Sequence, residues 1–312
     1  MYEPDAPPAA VPVRQGARLW VHVLLFLLTA LTTTFVGGAH ALGFASDFGT
    51  RPEQDITATR LLTTGLSFSI PFLGFLLAHE FGHYLAARAH GLRPSLPYFI
   101  PAPLPLTGTM GAVIFFRGRF PNRRVLFDFA AAGPLAGFAV AAPVLFLGLT
   151  WSRVVAVPEN MEGFYLGEPL LFQWMANALF GDVAEGYSIN LHPTALAGWL
   201  GLLFTLMNLI PAGQLDGGHI AYAWLGRPAR WVTLLSFVAI GGLIVVGRAY
   251  SWAGWLVVLL VLLWLFGWDH PPALDDVSPL DPIRVALVIA VIGIFVVCFM
   301  PVPISPIEFM GS

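Results

Sequence analysis

Seven apolar stretches dominate this sequence, at about 19–43, 61–87, 127–151, 194–212, 232–249, 252–268 and 284–303. A helix needs roughly 20 apolar residues to cross the ~30 Å hydrocarbon core of a bilayer. In that medium every backbone polar group must be bonded within its own segment, so such stretches are expected to be helices. The rest of the composition agrees: 57% of the 312 residues are hydrophobic and only 11% are charged. A soluble domain carries about 25% charged residues, so this chain has too few to cover a water-facing surface. A soluble enzyme, a disordered linker and a disulfide-stapled secreted module are excluded. The lone cysteine, Cys298, forms no internal disulfide and says nothing of redox compartment. The chain reads as an α-helical polytopic membrane protein, with the lipid bilayer as its first partner.

Arginine supplies all 15 basic residues, and its distribution sets the sidedness. Arg14, Arg18, Arg88, Arg93, Arg117, Arg119, Arg123, Arg124, Arg227, Arg230 and Arg284 fall on one side, and only Arg51, Arg60, Arg153 and Arg248 on the other. The segment 152–193 on that second side carries Glu159, Glu162, Glu168, Asp182 and Glu185. The bias places the N-terminus in the cytoplasm, counts seven spans and leaves the C-terminus outside. Arg14, Arg18 and Ala39-His40-Ala41 imitate a signal peptide around the first span. That apolar run is longer than a signal h-region, so an uncleaved anchor is expected. A prokaryotic inner membrane is the expected location. A net charge of −3 with no basic face excludes nucleic acid as a partner. No internal repeat is evident, which weighs against the inverted-repeat transporters.

The second span contains His79-Glu80-Phe81-Gly82-His83. Ionisable groups at membrane depth are costly and mark function. Histidines four apart project from one helical face, the spacing that lets two imidazoles hold one zinc ion. Glu80 is rotated about 100° from His79, beside the open position of such a metal, where a carboxylate can take a proton from water and pass it to a leaving amine. Random order would produce this HExxH pattern in roughly half a per cent of chains of this composition. The bland reading is a histidine pair satisfied between helices.

Two histidines hold zinc weakly, so a third ligand is needed. Asp216 is the candidate, in Asn208-Leu209-Ile210-Pro211-Ala212-Gly213-Gln214-Leu215-Asp216-Gly217-Gly218-His219. Pro211 and Gly213 interrupt the fourth span, Gly217-Gly218 give the backbone latitude, and a carboxylate on such a break can turn inward. The second and fourth spans both run from outside to inside, so His79 and Asp216 fall at similar depth. The competing reading is a D-G-G turn at the membrane surface. Asn208, one turn before Pro211, either donates to a scissile carbonyl or oxyanion or bonds between helices.

Together these motifs resemble the site-2 protease family of intramembrane zinc metalloproteases. HExxH stands at 79–83 and N-x-x-P…L-D-G at Asn208, Pro211 and Leu215-Asp216-Gly217, with Ala132-Gly133-Pro134-Leu135-Ala136-Gly137 similar to the family's middle core helix. The wording around Asp216 looks most like the cyanobacterial and plastid branch. The resemblance covers about 61–220. It implies one zinc ion, a three-helix catalytic core, and regulated intramembrane proteolysis of single-pass substrates. No insertion long enough for a PDZ domain, and no tail for a CBS pair, stands in the sequence. The chain accordingly divides into a tail, first span and external loop (1–60), a catalytic core (61–220, with a β segment at 94–125) and C-terminal helices (221–312).

Pro94, Pro97, Pro101, Pro103 and Pro105 exclude helix before the run Gly108–Phe116, which is β-prone and too short to span. We read it as a strand or hairpin dipping into the membrane beside the metal site, with Gly108, Gly111, Ala112 and Val113 offering an edge to an unwound substrate. The resemblance implies the same role; the alternative is an ordinary interfacial loop. Gly133 and Gly137 permit close helix packing. His219 is a candidate support for Asp216, whereas His22, His40, His90, His192 and His270 read as interfacial or core histidines. Asp128 is expected to pair with the arginines just before it. The segment 152–193 reads as an external cap.

The expected function is a zinc metalloendopeptidase with His79, His83 and Asp216 on the metal and Glu80 as base. Two alternatives remain: a metalloprotease whose third ligand is a downstream glutamate, and a non-catalytic metal-binding transporter or scaffold. None of Glu159, Glu162, Glu168 or Glu185 lies on the cytoplasmic side, and a structural zinc needs no base beside it.

Overall fold

The computed structural model describes residues 19–51, 55–116, 118–158, 163–245, 252–254, 256–257, 260–261 and 270–306. Arg14, Arg18, Arg117, Glu159, Glu162, Arg248, Asp269 and most of the sixth expected span lie outside the described residues. The helices are α1 (Leu19–Ser46), α2 (Ala58–Ala89), α3 (Arg123–Thr150), α4 (Leu170–Phe180), α5 (Pro193–Leu209), α6 (Asp216–Leu225), α7 (Ala229–Val245) and α8 (Pro282–Cys298). The strands are β1 (Tyr98–Pro101), β2 (Thr109–Val113), β3 (Arg153–Ala156), β4 (Phe164–Leu166), β5 (Tyr187–Asn190) and β6 (Ile304–Pro306).

Three helices, α1, α2 and α3, are long and apolar enough to cross a membrane; α5, α7 and α8 are apolar but shorter. Their ends carry the expected stop and start signals. Thr57, Asn122 and Asp281 cap α2, α3 and α8 by accepting from a backbone N–H three residues on. Pro282 then occupies the first turn of α8, where its missing N–H costs nothing.

Phe68, Phe72 and Phe75 of α2 pack on Leu145 and Leu149 of α3 and on α5, making the main core. Every residue of α5 except Phe204 and Asn208 is buried, so this helix is enclosed on nearly all sides. Small residues allow the close contacts. A Cβ on Gly198 would come within 2.4 Å of the Leu145 backbone, and one on Gly65 within 1.9 Å of the Thr34 carbonyl.

Contacts at the two ends of the bundle sort the helix termini into two faces. One face joins the end of α1 to the β3–β5 pair, and pairs β4 with β6 after α8. Asp47 is its anchor: it is buried, with Arg153 at 2.7 Å, Arg51 at 2.6 Å and Asn190 donating at 2.8 Å. Burial alone pushes the Asp47 carboxyl up, but the bonds from Asn190 and Arg153 and the charges of Arg153 and Arg51 outweigh it, so its pKa is lowered. A depressed folded pKa stabilises the fold above the unfolded value of about 3.9, and that contribution is lost as pH falls through the folded value. Asp47→Asn is expected to destabilise by about 1.5–3 kcal/mol at pH 7, with the difference from the native chain shrinking below pH 4. Thermal unfolding at both pH values checks this; an equal deficit at low pH would sink it.

On the opposite face Asp128 accepts from Arg284 and lies 2.8 Å from His90, joining the ends of α2, α3 and α8. The expectation that Asp128 pairs with the preceding arginines is thus corrected. Arg123 instead caps α6 by donating to the Ala223 and Trp224 carbonyls, and Arg124 donates to Pro279. Those carbonyls have no partner within α6, and they outcompete an acid on the arginines' own helix.

β1 and β2 pair antiparallel, Tyr98 opposite Val113 and Phe99 opposite Ala112, with an irregularity before Pro101. β1 lies along α1, where Phe99 meets Phe26 edge-on. Two histidines of α1 fasten this segment: His22 donates to the Pro97 carbonyl (3.1 Å) and His40 to that of Leu106 (3.0 Å). Eighteen helical residues separate them, about 27 Å at 1.5 Å per residue.

Candidate metal centre

His79 and His83 lie one turn apart near the end of α2, both buried, with their Nε2 atoms 3.2 Å from each other. His83 Nδ1 donates to the Phe129 carbonyl at 2.8 Å, which leaves the lone pair on Nε2. Oδ2 of Asp216 is 3.4 Å from His79 Nε2 and 3.3 Å from His83 Nε2. Three ligand atoms therefore form a nearly equilateral triangle. Charge-assisted hydrogen bonds would draw them to about 2.7–2.9 Å. A tetrahedral ion with bonds of about 2.0–2.1 Å sets its ligands roughly 3.3 Å apart, so the donor set and its spacing fit zinc. Among the described residues this is the one group of three such side chains within metal-binding reach.

Asp216 reaches that position because α5 stops. Its end at Leu209 is followed by Pro211 and by Gly213 at φ 56°, a backbone state that favours glycine. The chain then restarts as α6 with Asp216 in its first turn, where a carboxylate also suits the helix dipole. The fourth span thus ends at Leu209, and Asp216 opens a separate helix after the break. Gly217 and Gly218 act by close approach rather than by conformational latitude: their Cβ atoms would lie 2.1 Å from the Leu209 carbonyl oxygen and 2.3 Å from that of Gly213.

The small residues of α3 face the same centre. A Cβ on Gly133 would sit 2.1 Å from His83 Nε2, and one on Gly137 3.2 Å from His79 Nδ1. The G-x-x-x-G pattern thus makes room for the two imidazoles. Gly133→Ala is expected to displace the His83 ring and weaken zinc binding by at least the roughly 10- to 100-fold typical of lost supporting contacts. Chelator competition measures this, and native affinity would show that the ring has other room.

Glu80 is buried beside His79 and makes no hydrogen bond among the described residues. Two carboxylates and two histidines at this depth need a compensating positive charge, which a divalent cation supplies. Asn208 Nδ2 lies 3.3 Å from His79 Nε2, so the structure brings this residue to the centre. Gly108 stands just before β2, and Gly111, Ala112 and Val113 lie within it. Gly108 is seated against Thr32 and Thr33 of α1, and a Cβ on Gly111 would lie 3.6 Å from Phe204. Phe204, one turn before Asn208 on the same face of α5, was not singled out by the sequence, where it is one of 25 phenylalanines in an apolar run. His219, a candidate support for Asp216, bonds to His270.

The pattern of peptidase family M50 matches residues 67–246, more than half of the chain. The chain belongs to this family. Among its relatives, "Probable zinc metalloprotease EGY1, chloroplastic" of Arabidopsis thaliana is 32% identical over 91% of this chain and 54% of its own length. The rice (Oryza sativa subsp. japonica) protein of the same description is 31% identical over 91% of this chain and 51% of its own. "Probable zinc metalloprotease EGY2, chloroplastic" of Arabidopsis thaliana is 29% identical over 97% and 54%. The chain spans about half the length of these relatives. M50 membership bears out the resemblance to the site-2 proteases.

Proposed function

We propose that this protein is an intramembrane zinc metalloendopeptidase that hydrolyses peptide bonds in or near the transmembrane helices of single-pass substrates. The observation that carries the reading is the equal-edged triangle of His79, His83 and Asp216 with buried, unbonded Glu80 beside it. His79, His83 and Asp216 would hold one zinc ion, which when bound polarises a carbonyl and acidifies water. Glu80 takes the proton from the attacking water and delivers it to the leaving amine. Asn208 donates from its Nδ2 toward the scissile carbonyl. His83 stays in one tautomer through its bond to Phe129.

Seven spans and a membrane-dipping hairpin complete the proposal. The roughly 27 Å between His22 and His40 on α1, both holding carbonyls of the 97–106 segment, supports a hairpin that lies at membrane depth. β2 would offer its outer edge to an unwound substrate, through Gly108, Gly111, Ala112 and Val113. Phe204 and Asn208, the two incompletely buried residues of α5, line the way from Gly111 to His79. The arginine bias, which puts the centre toward the cytoplasm, supports release of a fragment to that side, in regulated proteolysis. A prokaryotic inner membrane is the proposed location, and the cyanobacterial and plastid wording of the Asp216 motif accords with the chloroplastic relatives.

The test is reconstitution in lipid vesicles with membrane-anchored single-pass substrates. Cleavage within the transmembrane segment, lost with a zinc chelator and restored by zinc, is expected. Metal flux across the vesicles without any cleavage would favour the transporter reading instead.

A further inference from the structure

Two buried or half-buried histidines stand outside the chemistry above. His219 follows Asp216 by three residues, one turn on along the same face of α6. Its Nδ1 lies 2.5 Å from Nε2 of His270, whose own Nδ1 is 2.8 Å from the Pro271 carbonyl. A carbonyl only accepts, so His270 Nδ1 carries a hydrogen. Burial lowers the His270 pKa, more than its bond to Pro271 raises it, which favours the neutral ring. Its Nε2 is then an acceptor, and His219 Nδ1 is the donor.

His270 opens a strap, residues 270–281, that runs across the ends of α3 and α6. Tyr222 of α6 stacks on His270 with centroids 4.3 Å apart and donates to Asp276 at 2.9–3.0 Å. Leu274 and Asp275 donate to the Phe120 and Pro121 carbonyls at 3.0 and 2.9 Å. The whole strap lies beyond the residues matched by family M50, which end at 246.

The helix it grips needs outside support. α6 has only ten residues, no side-chain cap at its N-terminus, and a break containing Gly213 immediately before it. Turning such a helix by 20° about its axis moves a Cα by about 0.8 Å at a radius of 2.3 Å. Metal ligands tolerate displacements of only about 0.5 Å.

We propose that His270 is a positioning residue for the metal centre: by accepting from His219 it fixes the rotation of α6, and with it the carboxylate of Asp216. This rests on the reading of His79, His83 and Asp216 as zinc ligands. The strap thereby makes a segment outside the family's matched region part of the ligand-holding apparatus.

The experiment compares native protein with His270→Leu, His270→Gln and Tyr222→Phe in the full chain, loaded with Co(II) as a visible probe. His270→Leu is expected to weaken Co(II) and Zn(II) affinity by about 10- to 100-fold and to shift the Co(II) absorption bands. His270→Gln, whose Oε1 can accept from His219, should recover most of both. Tyr222→Phe, which removes only the bond to Asp276, should move them in the same direction by less, and it carries the test if His270→Leu does not fold. Loss of thermal stability with native affinity and native bands would overturn the proposal. So would equal damage from Leu and Gln, or a second zinc per chain that His270→Leu removes. Asp216→Ala separates the underlying reading: undiminished metal affinity there would remove the ligand assignment itself.

Discussion

Glu80→Gln is expected to reduce cleavage by about 10²- to 10⁴-fold, the range lost with a general base, while the bound zinc remains at the native level. The substitution keeps the side chain's length and removes only its charge and basicity. Glu80 is not a corner of the ligand triangle, so the metal's three contacts are untouched. The carboxylate is buried and makes no hydrogen bond among the described residues, so its replacement breaks no bond that the fold uses. Stability should therefore hold or rise slightly, because a buried charge is removed. Zinc analysis and turnover of a membrane-anchored substrate on the same sample check both halves. Near-native turnover would end the protease reading, and loss of zinc would move Glu80 from base to ligand.

Asp216→Ala should remove both metal and activity. Zinc would then be held by two imidazoles alone, and the loss should exceed the roughly 10- to 100-fold that follows removal of a mere supporting contact. The fold should survive, since Asp216 has no structural partner other than His79 and His83 among the described residues, and α6 is still held by Arg123 and the strap. Asp216→Glu keeps the charge but lengthens the side chain by one methylene, which misplaces the oxygen by more than a ligand tolerates. It should recover some zinc and little turnover. Metal analysis by mass spectrometry after gel filtration measures the series; full zinc content in the alanine variant would exclude the assignment.

What the sequence made legible follows the range of the interactions. His79 and His83 could be paired from spacing alone, because one helix turn brings i and i+4 together whatever surrounds them. The expected span at 61–87 lies within α2, and that at 127–151 lies within α3 but for its last residue, since hydropathy is a property of each segment by itself. Asp216 required an argument about depth, because it stands on a segment far along the chain from the two imidazoles that its Oδ2 approaches to 3.3–3.4 Å. Contacts between segments far apart stayed hidden. Nothing local tells that Asp128 meets Arg284, that His219 meets His270, or that β4 pairs with β6. The separate helix α6 was also missed, for Asp216-Gly217-Gly218 reads locally as a turn. Only the close approach to Leu209 and Gly213 explains why glycines sit in a helical first turn.

The enclosure of α5 has a consequence for how anything gets in. A pillar wedged against neighbours on every side, apart from Phe204 and Asn208, is a doorpost and not a door. On the proposed function, a guest peptide is expected to enter by the yielding of outlying pieces, the paired strands and the first helix clasped to them by His22 and His40. If substrates enter the proposed peptidase this way, stitching that clasp shut should starve it while leaving its zinc grip intact.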